Sequence, residues 1–254
     1  VLDLPALPGT ASAPHLQGGA PVSEFLSLEP GERVLTLASL ADAGPALALG
    51  TRSGVVKRVT PDTPARDSWE LLRLADDDEV VGAVDLGANG ADGSEHAELC
   101  FVTSDGQLLH FPAAGVRAQG RGGGGIAGVR VSPGRQVVFF GAFGPGEGSV
   151  VVTASGSSTA LPGTEPGAVK VTAFGEYPAK GRGTGGVRCH RFLKGEDTLI
   201  FAWAGPGPAR AAAASGAPVD LPEPTGRRDG SGHPGTLPIE AVAGPVAGLL
   251  GDAG

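Results

Sequence analysis

Two stretches of this chain repeat one phrase: Gln119-Gly-Arg-Gly-Gly-Gly-Gly-Ile-Ala-Gly-Val-Arg130 and Lys180-Gly-Arg-Gly-Thr-Gly-Gly-Val-Arg188. In both, a basic, glycine-rich turn leads into a short strand that carries an arginine. A further glycine turn and an apolar run follow, at 137–143 and at 198–203. Self-similarity of this kind is typical of repeat architectures such as propellers, in which each unit buries a face against the next.

Hairpin-like segments recur along the chain at a nearly constant spacing. Thr51, Thr103 and Thr153 stand before or within three of them and lie 52 and 50 residues apart, and a fourth hairpin is expected at 211–221. Each hairpin has a separate apolar partner run, at 34–40, 80–86, 137–143 and 198–203. No long apolar pattern has the 3.6-residue period of a helix. The sequence therefore predicts an all-β, propeller-like disc of four to five four-stranded blades.

The composition supports a folded chain of short strands. Gly and Pro contribute 44 and 22 of the 254 residues, which is close to the level of low-complexity sequence. However, 41% of the residues are hydrophobic, and they fall in short, regularly placed runs. No apolar stretch has the length of a membrane helix, and the N-terminus lacks the features of a signal peptide. The first residue is Val1, so we expect a piece of a longer protein.

We expect residues 1–254 to form a single domain. Val1-Leu-Asp-Leu-Pro5 matches Val219-Asp-Leu-Pro222, so residues 1–30 are expected to close the ring with the C-terminal segment. Residues 205–235 are rich in Gly, Pro, Ala and Arg, and we expect a long loop there.

The charge of the chain is unevenly distributed. The net charge is −8, which by itself argues against a nucleic-acid partner. Residues 117–194, however, hold ten basic and three acidic side chains, a local charge of +7 that leaves −15 for the rest. Because binding follows the local potential, such a patch can bind a polyanion. Basic residues that merely protect strand edges are the alternative.

Patterns for catalysis or metal binding are weak. Cys100 and Cys189 lie far apart, and the Cys189-His190 pair has no second Cys/His pair at ligand spacing. The phosphate-binding pattern G-x-x-x-x-G-K-[ST] does not occur. The single tyrosine, Tyr177, precedes a proline in an extended segment, so we expect a packing role. We therefore expect no catalytic residue and no metal site.

The repeated blade pattern resembles the C-terminal DNA-wrapping domain of bacterial type IIA topoisomerase A subunits, those of gyrase and of topoisomerase IV. That family folds as a β-pinwheel, a propeller-like disc whose neighbouring blades exchange strands and whose basic rim binds and bends duplex DNA. Its gyrase members carry a box, Q-R-R-G-G-K-G. The corresponding stretch here is Gln119-Gly120-Arg121-Gly122-Gly123-Gly124-Gly125, which lacks two of the three basic residues. A degenerate box is expected of the topoisomerase IV branch.

The resemblance implies non-specific DNA binding, because glycine-rich loops and arginines contact phosphates without reading bases. The expected phosphate contacts are Arg121, Arg130, Lys180, Arg182, Arg188 and Arg191, with Arg52, Lys57, Arg58 and Arg117 as second choices.

The resemblance also implies partners and a cellular place. These are duplex DNA, the rest of the A subunit, and the ATPase B subunit of a heterotetramer, in the cytoplasm at the chromosome. We expect no cofactor in this domain, with ATP and Mg²⁺ implied for the intact ATP-dependent isomerase only. We expect no membrane contact and an isolated domain that is monomeric. The alternatives are a protein-interaction module that uses the acidic face, and a propeller hydrolase, for which the sequence offers no carboxylate or His cluster.

Overall fold

The computed structural model describes residues 22–38, 46–60, 64–66, 68–86, 97–144, 146 and 148–245. This part is almost entirely β-structure, with short 3-10 helices at Val22–Glu24, Ala113–Gly115 and Phe174–Glu176. The strands are β1 (Leu47–Thr51), β2 (Val55–Val59), β3 (Val80–Asp85), β4 (Glu98–Thr103), β5 (Gln107–Pro112), β6 (Ala118–Gln119), β7 (Ile126–Ala127), β8 (Val137–Phe143), β9 (Val150–Gly156), β10 (Ala168–Ala173), β11 (Val187–Arg188), β12 (Thr198–Gly205), β13 (Arg210–Ala212), β14 (Pro218–Val219), β15 (His233–Pro234) and β16 (Ala241–Ala243).

These strands form four sheets of five, four, four and three strands, which correspond to the blades predicted as four-stranded. Blade 1 has the order β3-β1-β2, with β6 parallel and β7 antiparallel to β2. Blade 2 is β8-β4-β5-β11, blade 3 is β12-β9-β10-β15, and blade 4 is β14-β13-β16. All other pairings between named strands are antiparallel. The all-β, propeller-like prediction is confirmed.

The outer strand of each of the first three blades comes from farther along the chain. Strand β7 follows the hairpin of blade 2 in the sequence but pairs with β2 of blade 1. Strand β11 follows the hairpin of blade 3 and pairs with β5 of blade 2, and β15 likewise follows blade 4's hairpin and pairs with β10 of blade 3. This exchange links consecutive blades covalently and by hydrogen bonds.

The hydrophobic cores lie between consecutive blades. The side chains of β4 alternate, because Leu99 and Phe101 pack in the core shared with blade 1, whereas Cys100 and Val102 pack in the core shared with blade 3. Phe101 meets Phe140 in the first of these cores, with ring centroids 4.8 Å apart. A third core joins blades 3 and 4. The strands β1, β4 and β9, central in blades 1 to 3, are thus buried on both faces.

Four expectations about the domain and its terminal regions need correction or stay open. The predicted loop at 205–235 contains β13, β14 and β15, and these strands belong to blades 3 and 4. Within the predicted strand at 34–40, residues 34–38 form no strand, and Leu37 is 69% exposed. Residues 1–21 lie outside the described part, so ring closure by 1–30 and the single-domain assignment remain predictions. The described part contains no helix that is both long and apolar enough to cross a membrane.

The packing of blade 1 on blade 2 predicts that Gly50 tolerates no side chain. A methyl group at Gly50 of β1 would overlap the ring of Phe140 in blade 2. We expect Gly50→Ala to lower the free energy of unfolding by about 1–3 kcal/mol, the usual cost of overpacking a core. Urea unfolding measures this, with Gly115→Ala as the control because nothing lies within 4 Å of its added Cβ. Equal unfolding midpoints for both variants would contradict the described packing.

Candidate nucleic-acid interface

Three glycine-rich loops stand before the exchanged outer strands. We name them the first loop (119–125), the second loop (180–186) and the third loop (226–232). In each, the fifth residue donates a hydrogen bond to the carbonyl of the second. The bonds are Gly123 N to Gly120 O (3.1 Å), Thr184 Oγ1 to Gly181 O (2.8 Å) and Gly230 N to Arg227 O (3.1 Å). The loops are therefore equivalent parts of consecutive blades.

The last residue of each loop must be glycine because it lies against the neighbouring strand. A Cβ at Gly125 would lie 2.8 Å from the Val56 carbonyl oxygen, and a Cβ at Gly186 would clash with that of Leu108. Both glycines also have positive φ, 78° and 74°. In the first loop, Gln119 Oε1 accepts a hydrogen bond from Gly125 N at 3.0 Å, so Gln119 closes this loop.

The third loop lies where the sequence predicted a long irregular segment. It reads Gly226-Arg-Arg-Asp-Gly-Ser-Gly232 and places Arg227 and Arg228 at the two arginine positions of the box pattern. The first loop keeps an arginine at only one of these positions, Arg121. The signal for the third loop was present in the spacing of the glycines. It was obscured by the high Gly, Pro and Ala content on either side.

Hydrogen bonds tie each of the later loops to the segment that follows the preceding loop. The second loop contacts the segment 127–130: Gly183 N donates to Gly128 O (2.6 Å), Arg130 N donates to Thr184 O (3.0 Å), and Arg182 Nη1 donates to Ala127 O (2.6 Å). In the same way, the third loop contacts the segment 188–191 that follows the second loop. There, Arg191 N donates to Gly230 O at 3.0 Å, and Arg228 Nη1 lies 3.4 Å from Arg188 O.

A second set of arginines lies at the junctions between loops. Arg130 and Arg191 each stand five residues after the last glycine of a loop. Arg73 is the equivalent residue in blade 1. Its carbonyl oxygen lies 3.9 Å from a Cβ built on Gly124 of the first loop. The carbonyl oxygen of Arg130 lies in the same way, 4.0 Å from a Cβ built on Gly185 of the second loop. All three arginines are exposed, and Arg73 was not predicted. We call the three loops together with Arg73, Arg130 and Arg191 the arginine edge.

The structure brings most of the predicted contacts to this edge. Arg121 is partly exposed. The other first choices, together with Arg117, are exposed: Arg130, Lys180, Arg182, Arg188 and Arg191. The edge also includes one acidic loop residue, Asp229. Whether these side chains contact phosphate remains a prediction.

Three second-choice residues lie in other surroundings. The Arg52 guanidinium, next to the hairpin turn of blade 1, pairs with Glu79, with Nε 3.0 Å from Oε1. Arg58 Nη1 donates to the carbonyls of Ala113 and Val116, both at 3.1 Å. Lys57 is 1% exposed, and its ammonium group is surrounded by backbone carbonyls. We correct the expectation for Lys57, because a buried group cannot reach a phosphate.

Buried side chains anchor the segment that carries Arg188 and Arg191. His190 Nδ1 lies 2.9 Å from Thr153 Oγ1 of blade 3. Burial, and then the nearby Lys170 charge, lowers the pKa of His190 to about 4. Burial raises the pKa of Cys189 to about 12. Both residues therefore stay neutral at physiological pH, and within the described residues no group of three or more His, Cys, Asp or Glu side chains could hold a metal.

The exchanged outer strands and the loops between blades define a β-pinwheel, and comparison with known proteins agrees. A family model described as the DNA gyrase C-terminal domain, beta-propeller, matches residues 97–140 and 163–202. The A subunit of DNA gyrase from Escherichia coli (strain K12) is 30% identical over 174 residues, which are 66% of this chain. These residues are 18% of that relative, so the chain spans about a fifth of its length.

Solved structures show the same fold. The C-terminal domain of DNA topoisomerase IV superposes with a TM-score of 0.69 at 17% identity, covering 89% of this chain and 70% of that one. The DNA gyrase A C-terminal domain gives 0.62 at 19% identity, covering 88% and 74%. In sequence the chain is similar to gyrase A subunits, and in fold it is similar to the C-terminal β-pinwheel domains of gyrase A and topoisomerase IV. The comparisons do not favour the alternative of a separate protein-interaction module.

The low pKa of His190 predicts a loss of stability in mild acid. The unfolded chain binds a proton near pH 6.5, whereas folded His190 resists protonation until about pH 4. The contribution of His190 to the free energy of unfolding is therefore fully present above pH 6.5. It is lost as the pH falls towards 4, because the unfolded chain then binds a proton that the folded chain does not. We expect the free energy of unfolding to fall by about 2 kcal/mol between pH 7 and pH 5.

Urea unfolding at both pH values checks this, with His190→Gln expected to lose less stability in acid than the unmodified chain. His233→Gln is the matched control, since His233 is exposed. An undiminished acid loss in His190→Gln would show that another group is responsible.

Proposed function

We propose that this chain binds duplex DNA along the arginine edge and bends or wraps it without reading base sequence. The observation that carries this proposal is the row of three loops on consecutive blades, each with exposed or partly exposed basic side chains and each later one hydrogen-bonded to the segment after the preceding loop. Phosphates repeat along a duplex whatever its sequence, so a repeated set of arginines suits the DNA backbone. DNA that follows the row across several blades must deform, and the phosphate contacts offset that cost.

The chemistry of the loops supports the same proposal. Glycines at 122–125 leave the backbone open to close approach, and guanidinium groups form strong, charge-assisted bonds with phosphate oxygens. The rest of the chain has a net negative charge, so the favourable charge is concentrated at the edge. DNA is thereby directed to one side of the domain.

For the intact protein, we propose the role of a DNA-holding domain. The chain would present a bound segment to a catalytic core formed by the rest of the A subunit. An ATPase B subunit, with ATP and Mg²⁺, would drive decatenation, relaxation or supercoiling. Such an assembly would work in the cytoplasm at the chromosome. The first loop lacks two of the three basic box residues, which favours holding and bending of DNA over chiral wrapping.

Salt dependence tests the number of phosphate contacts. About six neutralised phosphates give a slope near −5 for the logarithm of the binding constant against the logarithm of salt concentration. We expect the double variant Arg227→Ala/Arg228→Ala to reduce the magnitude of this slope by about 2, because two contacts are lost. Fluorescence anisotropy with a labelled duplex at several salt concentrations measures both values.

A double variant outside the edge, Arg33→Ala/Arg210→Ala, removes the same charge from two other exposed arginines and is expected to keep the slope. A slope near zero for the unmodified chain would overturn the proposed function. An equal change in both double variants would mean that only overall charge matters.

Ligation of a nicked circular plasmid in the presence of the chain separates wrapping from bending. After removal of protein, an unchanged linking number together with retardation of DNA in a gel at low salt is the expected result for a domain that holds and bends. A concentration-dependent change of linking number would instead mean chiral wrapping, as in a gyrase. Absence of both effects would favour a protein-interaction role.

A further inference from the structure

Lys57 is a buried lysine directly beneath the first loop. Its side chain is 1% exposed, and its ammonium group donates to three backbone carbonyls. Nζ lies 2.6 Å from Leu71 O, 2.8 Å from Arg121 O and 2.7 Å from Gly123 O. A lysine ammonium has three protons, so these bonds use all of them. Two of the three acceptors belong to the loop itself, which the lysine therefore ties to the segment around Leu71.

The fold does not require a lysine at this place. Gly125 of the first loop packs on Val56 O, and Gly186 of the second loop packs on Leu108 O, so Val56 and Leu108 are equivalent. The residues that follow them are Lys57 and Leu109. Because the second loop forms over a leucine, a lysine at this position is not required to build a blade.

The first loop has a particular need for such an anchor. Four successive glycines, 122–125, follow Arg121, whereas the second loop contains Thr184, whose hydroxyl donates to Gly181 O. Glycine-rich segments lose the most backbone freedom when they become ordered. A loop that is ordered before DNA arrives avoids that loss on binding.

The third loop has a comparable anchor. Lys170 of β10 is 2% exposed, and its Nζ lies 2.5 Å from Arg228 O and 3.4 Å from Arg227 O. Burial lowers the pKa of both lysines, which a nearby Glu70 opposes at Lys57. Burying an ammonium group costs free energy unless its protons form hydrogen bonds. The loop carbonyls offset this cost by accepting those hydrogen bonds.

We propose that Lys57 is a positioning residue for DNA binding, which holds the carbonyls of Arg121 and Gly123 inward and so fixes the first loop in the form that contacts phosphate. It acts through the loop and does not touch DNA. This inference rests on the proposed function, because it assigns the first loop a share of the phosphate contacts.

The test is the variant Lys57→Leu in the full chain, chosen because leucine occupies the equivalent position in blade 2, at Leu109. We expect binding of a labelled duplex at low salt to weaken about tenfold, since the ordering cost returns. The salt slope is expected to become shallower by about 1, because Arg121 no longer holds its phosphate. Combined with Arg121→Ala, the substitution is expected to add little, as in coupled pairs. Amide hydrogen exchange of residues 121–124 is expected to become faster without DNA.

Lys194→Leu is the matched control, because it removes one exposed lysine charge outside the three loops. It is expected to keep both the salt slope and the exchange rates of the first loop. Circular dichroism and urea unfolding establish that each variant is folded. If Lys57→Leu does not fold, Lys57→Met, which keeps a long flexible stem, takes its place in every measurement.

The outcomes separate the two proposals. A folded Lys57 variant with unchanged affinity and slope, or with an effect that adds fully to that of Arg121→Ala, overturns the positioning role. Failure of the unmodified chain to bind DNA overturns the proposed function instead. In that case, faster amide hydrogen exchange of the first loop in the Lys57 variant still supports the conclusion that Lys57 holds this loop in place. Unchanged exchange rates reject that conclusion.

Discussion

Burial of the central strands on both faces is the constraint on which this structure depends. In β4, Leu99 and Phe101 face one core while Cys100 and Val102 face the next, so no blade can bury its apolar side chains alone. Blades must stack, and hydrogen bonding to exchanged outer strands fixes the order in which they do so. Gly50 shows how close the stacking is, since the ring of Phe140 occupies the place of its side chain.

Strand exchange also decides where the basic residues lie. Each exchanged strand is only two residues long and is preceded by a glycine-rich loop, so every exchange delivers one loop to the same edge of its blade. Each later loop then bonds to the segment after the preceding loop, through Arg182 Nη1 to Ala127 O and through Arg191 N to Gly230 O. A feature needed for the stability of the array thereby places basic side chains from consecutive blades along one edge.

The basic residues near the arginine edge have two different environments. Lys57, Arg58 and Lys170 are basic residues that donate to backbone carbonyls beneath or beside the loops. Arginines at the junctions and in the loops are left to face solvent. An acidic chain can therefore carry a basic edge, and the net charge of −8 says little about the partner.

Local patterns in the sequence were enough to predict the repeat, the all-β class, the first two loops and most of their arginines. These features depend on the spacing of glycines, the apolar runs and the side chains between them. The folded chain was needed to show that 226–232 is a third loop, that Arg73 is equivalent to Arg130, and that Lys57 is buried. The physical reason is that burial and equivalence depend on which strands pair across the chain, as when β7 pairs with β2 and brings the first loop over Lys57.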